Sequence, residues 1–125
     1  MAPDRISIKF DGADRDIVMS LGLLRALART VGDPGQAVLV MLQDELRDAV
    51  LKEVVAERNE YGKIVQEHDL DGLPMSAEDA IAVVDWASEH VLSFFVGRLK
   101  KVEEMSKGPL QKIKDLDASA SGSVA

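Results

Sequence analysis

From Ser76 onward, apolar positions recur at steps of three and four: Ile81, Val84, Ser88, Val91, Phe95, Leu99 and Val102. An α-helix places residues at that spacing on one face. Ala80, Val83, Ala87 and Phe94 form a second row beside the first, and Trp86, the only tryptophan, widens the stripe. Ser76-Ala77-Glu78-Asp79 is a helix start. The serine hydroxyl faces the free amide of Asp79, and acidic side chains suit the positive end of the helix dipole. Gly108-Pro109 is the matching stop. About 31 helical residues would reach roughly 46 Å at 1.5 Å each, whereas a compact chain of this length is only about 35 Å across. The pattern therefore predicts either a break at Gly97 or a helix end that projects beyond its own domain. A stripe this wide reads as core plus interface.

The remaining pattern is shorter in period and in reach. Ile6, Ile8 and Phe10 alternate with Ser7 and Lys9, and Asp11-Gly12 is a hairpin turn signal that lets Arg15 to Met19 return as a second strand. Ser20 caps a helix from Leu21 to Val31, with Leu21, Leu24, Ala28 and Val31 on one face, Leu23 and Leu27 beside them, and Gly32 as its end. Asp33-Pro34 restarts a helix whose apolar part is Val38, Leu39, Met41 and Leu42. A further helix from Asp44 turns Leu46, Ala49, Val50 and Val54 inward and ends near Glu57 or Arg58. Pattern alone leaves its continuity with the preceding helix open. Asn59 to Lys63 is a turn, Ile64-Val65 a short strand or extended arm, and Gln66 to Pro74 a polar connector.

Together these elements predict a mainly α (α+β) fold. An N-terminal β-hairpin over 5–19 precedes a small multi-helix bundle with one long C-terminal helix. The whole forms a single domain over 1–109, with a weakly structured tail over 110–125 that is rich in Ser, Ala and Gly.

Composition narrows the function more than it adds to it. With 22 Asp and Glu against 15 Lys and Arg, the net charge of -7 repels phosphate backbones, so a broad nucleic-acid surface is not expected. The cations from Arg98 to Lys114 alternate with Glu103 and Glu104 and read as a solvated helix face. Cysteine is absent, which excludes disulfides and thiolate chemistry. No uninterrupted apolar run approaches 18 residues, and Met1 to Arg5 does not resemble a signal peptide, so a cytoplasmic protein without a membrane partner is expected.

Candidate chemistry is sparse. His68 lies among Glu67, Asp69 and Asp71, but the spacing fits neither a zinc pattern nor an EF-hand loop. Glu53 with Glu57, and Asp85 with Glu89, are spaced to share helix faces and read as surface charge. Gly32, Gly35, Gly62 and Gly72 fall singly at turns, and no serine stands in a nucleophile elbow. The residues predict no enzyme, no metal site and no cofactor.

The ordered series of Ile6-Ser7-Ile8-Lys9-Phe10-Asp11-Gly12, Leu21 to Arg29 with Val31-Gly32-Asp33, Glu57 to Lys63, and the long helix with Trp86 and Phe94-Phe95 resembles the tail assembly chaperones of long-tailed, non-contractile bacteriophages. The resemblance runs from about Ile6 to Lys107 and is one of overall pattern. It implies a protein that coats the tape measure protein, keeps it soluble, helps recruit the major tail protein, and is absent from the mature virion. It also implies the host cytoplasm as its location and a longer form made by ribosomal frameshift, of which this chain would be the short one. A homo-oligomer with open head-to-tail association suits a long client. The candidate protein-interaction face is Trp86, His90, Phe94, Phe95 and Met105. The alternative is a generic helical adaptor or regulatory module that forms a small oligomer, without catalysis.

Overall fold

A computed structural model describes residues 2–106. The Gly108-Pro109 stop and the 110–125 tail lie outside the described residues. The chain divides into two compact units, Met1–Ser93 and Phe94–Ala125. The fold is α+β, with an N-terminal hairpin, several helices and a long C-terminal helix.

In the first unit, strands β1 (Arg5–Phe10) and β2 (Ala13–Val18) pair antiparallel, with Arg5 opposite Val18 and Phe10 opposite Ala13. Asp11 and Gly12 both take positive φ, 54° and 78°, which twists the two-residue turn in the sense of the strands. Ile8 and Ile17 are buried on the inner face. The outer edge of β1 is contacted near its turn: the Lys9 amide donates to Asp79 Oδ2 (3.1 Å) and the Asp11 amide to the Pro74 carbonyl (2.8 Å).

Helix α1 (Leu21–Val31) begins where the Ser20 hydroxyl accepts the Leu23 amide (3.1 Å), and it ends at Gly32, φ 93°. Its buried residues are Leu23, Ala26, Leu27 and Val31, while Leu21 is 71% exposed. The apolar band is broad enough to offer two neighbouring faces, and packing chose the one centred on Leu23 and Leu27. Helix α2 (Pro34–Leu39) is capped by Asp33, whose Oδ1 accepts the Gln36 amide at 2.9 Å. It buries Ala37, and Val40 just beyond it is fully buried. Val38, Met41 and Leu42 are exposed, contrary to the sequence pattern, because α2 turns Ala37 inward and the chain then turns at 40–42 before α3 begins. Helices α2 and α3 (Asp44–Val55) are therefore separate.

Val50, Val54 and Val55 of α3 complete the core beside α1. The helix stops at Val55, earlier than its pattern suggests, because Glu57–Arg58 (β3) pairs antiparallel with Ile64–Gln66 (β4). Asn59 builds the intervening turn, its Oδ1 accepting the Tyr61 and Lys63 amides at 2.9 and 3.1 Å.

Helix α4 (Ala77–Ser106) starts under the Ser76 cap, where the hydroxyl accepts the Asp79 amide at 3.0 Å, and it passes Gly97 without interruption. In the first unit it buries Val83, Val84, Trp86, Ala87, Ser88 and Val91. Ile81, expected in the main apolar row, is 55% exposed because the buried stripe shifts toward Val83 and Ala87. Buried Ser88 satisfies its hydroxyl on the Val84 carbonyl (2.7 Å).

Candidate functional surface

The five residues of the candidate face separate into two environments. Trp86 is only 5% exposed, and its indole N–H donates to the Pro3 carbonyl at 2.7 Å. A buried indole requires such an acceptor. Nε2 of His90 lies 2.7 Å from the same carbonyl, so that nitrogen carries the proton, and the two rings meet edge to face at 5.2 Å. Trp86 and His90 thus hold the Ala2-Pro3 segment, and Ala2 is itself buried. Trp86 is a core residue rather than part of an open face. Pro3 carries no periodic signal, so nothing in the pattern of the chain points to this contact.

The second unit presents the remainder. Phe94 and Phe95 are half-buried and meet edge to face, with centroids 5.5 Å apart. The Arg98 guanidinium lies 4.7 Å above the Phe94 ring, a cation–π arrangement that covers one aromatic face with a solvated charge. Phe95, Leu99 and Val102 follow at steps of four and three, and Leu99 and Val102 are 58% and 57% exposed. Val96 and Met105 are exposed as well. Met105 of the candidate face therefore lies on open surface, joined there by Leu99 and Val102 of the periodic row.

An 18-residue window of α4 reaches a mean hydropathy of 1.3, sufficient by length and composition for a membrane span, and 33% of it is buried within the protein. Asp85 lies on this helix and pairs with Arg47 at 3.2 Å, rather than standing with Glu89 as free surface charge.

Other titratable groups serve the fold of the first unit. Glu53 and Glu57 do not share a helix face, since α3 ends before Glu57. Glu53 instead accepts from Arg58 at 2.7 Å, and Arg58 also donates to the Gly62 carbonyl at 2.9 Å. The half-buried Arg58 thereby ties the β3–β4 turn to the end of α3. Arg25, Arg29, Arg58 and Lys63 border an open groove of about 720 Å³ beside this turn. The Arg15 side chain lies over the Phe10 ring at 4.9 Å. Burial lowers its pKa from the ordinary arginine value, and neighbouring Glu57 partly opposes that shift. His68 packs its ring edge-on against Phe10 at 5.1 Å. Among the described residues, Glu67, His68, Asp69 and Asp71 do not gather with one another or with other acidic groups into a set able to hold a metal ion.

No protein-family model, curated protein or solved structure matches this chain.

Proposed function

We propose that the protein is a tail assembly chaperone of a long-tailed, non-contractile bacteriophage. In this reading it binds the tape measure protein, keeps it soluble in the host cytoplasm, helps recruit the major tail protein, and is left out of the mature virion. It works without catalysis or cofactor, as a homo-oligomer repeated along its client. Support comes from the resemblance in element order and, above all, from the apolar row of the second unit. Leu99, Val102 and Met105 are each at least 50% exposed. Each large apolar side chain moved fully out of water gains roughly 1.5–3 kcal/mol, so such a row favours a protein partner. A tape measure protein, as a long amphipathic helix, offers a surface of matching chemistry. The acidic surface keeps the complex soluble and disfavours DNA.

The test is co-expression with a tape measure fragment, followed by light scattering coupled to size exclusion over a range of concentrations. Growth beyond a dimer and a soluble complex with the fragment are expected. Leu99→Glu with Val102→Glu should abolish that complex while leaving the helical circular dichroism unchanged. A discrete, concentration-independent dimer that leaves the fragment insoluble would overturn the proposal in favour of a helical adaptor.

A further inference from the structure

The two edges of the hairpin differ in what lies against them: β1 is contacted at Lys9 and, in the turn, at Asp11, whereas β2 borders an open groove. The Met19 amide donates to the Asp4 carbonyl at 2.8 Å. The alternation of an antiparallel ladder then makes Ile6–Ile17 and Ile8–Arg15 hydrogen-bonded pairs. It turns the main-chain groups of Asp14, Asp16 and Val18 away from β1. On β1 the corresponding outward amides are those of Arg5, Ser7 and Lys9, and Lys9 donates to Asp79 Oδ2. On β2, no partner reaches the Asp14, Asp16 or Val18 amides among the described residues.

Beside this edge runs an open groove of about 620 Å³, bordered by β2 from Arg15 to Val18 and by the chain from Ala56 to Glu60. Buried Ile17, Leu23 and Val54 give it an apolar lining, and Val18 and Val65 stand exposed at its border. Two guanidinium nitrogens of the bordering arginines, Arg15 Nη1 and Arg58 Nε, are buried without a hydrogen-bond partner among the described residues. Unpartnered buried donors are costly and call for acceptors such as main-chain carbonyls.

The exposed face of the hairpin indicates which strand fits. Arg5 and Lys9 project from β1, and Asp14 and Asp16 from β2. Lys9 pairs with Asp14, Arg5 lies 3.7 Å from Asp16, and the Ser7 hydroxyl donates to Asp16. A second copy laid edge to edge on β2 would bring acidic rows together, an arrangement that discourages self-pairing. A strand with cations at alternate positions continues the row of opposite charges instead. We infer that the free edge of β2 binds an extended peptide segment of a partner protein, bearing Lys or Arg at alternate positions with apolar residues between them. Main-chain bonds to Asp14 and Asp16 and to the Val18 amide, whose own carbonyl already accepts the Ser20 amide, supply the affinity, and the two aspartates supply the selectivity. None of the α4 surface residues is involved, so this site stands or falls independently of a tail-assembly role.

The probe is a blocked peptide of alternating lysine and valine, titrated into the full chain and followed by ¹⁵N NMR and amide hydrogen exchange. Shift changes and slowed exchange are expected at the Asp14, Asp16 and Val18 amides. A glutamate–valine peptide should bind at least tenfold more weakly. Copies of the lysine–valine peptide N-methylated on one or the other set of alternate amides should differ at least tenfold, because only one set faces the edge. Asp16→Asn, which keeps a side-chain acceptor for Ser7, should narrow the preference for lysine several-fold. Equal binding of the two N-methylated peptides, responses confined to other surfaces, or absence of binding would overturn the inference. So would protection of these amides that rises with protein concentration alone, since a second copy would then occupy the edge.

Discussion

Gly22 and Gly62 meet backbone to backbone where α1 begins beside the β3–β4 turn. A Cβ on Gly22 would lie 2.7 Å from the Gly62 Cα, and one on Gly62 would lie 2.7 Å from the Gly22 Cα. Neither neighbour is a side chain that could swing aside, and Gly62 also holds φ 81°. Gly22→Ala and Gly62→Ala should each lower unfolding stability by about 1–3 kcal/mol, read from the urea midpoint. Gly97 provides the opposite sign. No atom lies within 4 Å of its would-be Cβ and it sits inside a helix, so Gly97→Ala should stabilise α4 by roughly 0.8–1 kcal/mol. Trp86 belongs to the same scale. Trp86→Phe keeps a ring but loses the bond to Pro3, a cost of about 1 kcal/mol. In that variant, hydrogen exchange at Ala2 should quicken before the rest of the unit is affected. Trp86→Glu buries an unpaired charge and should unfold the unit outright.

At the level of elements, caps and edges decide the boundaries. Ser20, Asp33 and Ser76 each accept the amide three residues on, at 3.1, 2.9 and 3.0 Å. Ser76→Ala should cost about 1 kcal/mol and fray the first turn of α4. That turn also carries Asp79, the acceptor for the Lys9 amide, so exchange at Lys9 should accelerate in the same variant. A loss at Ser76 without a response at Lys9 would show that α4 does not secure the β1 edge. These caps were legible because serine and aspartate before a helix have a local mechanism. The end of α3 was not, since β3 exists only through its pairing with β4. Likewise, alternation alone does not show which edge of the hairpin α4 meets through Asp79.

For the whole molecule, the balance of charge and exposed apolar surface governs association. Leu99, Val102 and Met105 are 58%, 57% and 50% exposed, so charged replacements there should cost little stability in the isolated chain. If Leu99→Glu instead lowers the urea midpoint of the isolated chain as far as a core substitution would, that face is already buried in the free protein. Association through apolar surface should persist in high salt. Binding of a basic strand to the acidic hairpin row should weaken as salt screens it. Light scattering and peptide titration at low and high salt therefore separate the two surfaces.

The sequence by itself determined the hairpin and its turn, the helix starts at Ser20, Asp33 and Ser76, and the stop at Gly32, because each rests on local φ preferences or on a hydrogen bond spanning three residues. It also determined that α4 is amphipathic and more apolar than one narrow seam requires. Only the tertiary structure decided which apolar residues of that helix are spent on core. Val83, Trp86, Ala87 and Val91 are buried, while Leu99, Val102 and Met105 are not. Helical periodicity fixes which residues share a face, but burial depends on what packs against it. For Trp86 that includes the Pro3 carbonyl, 83 residues away in the chain.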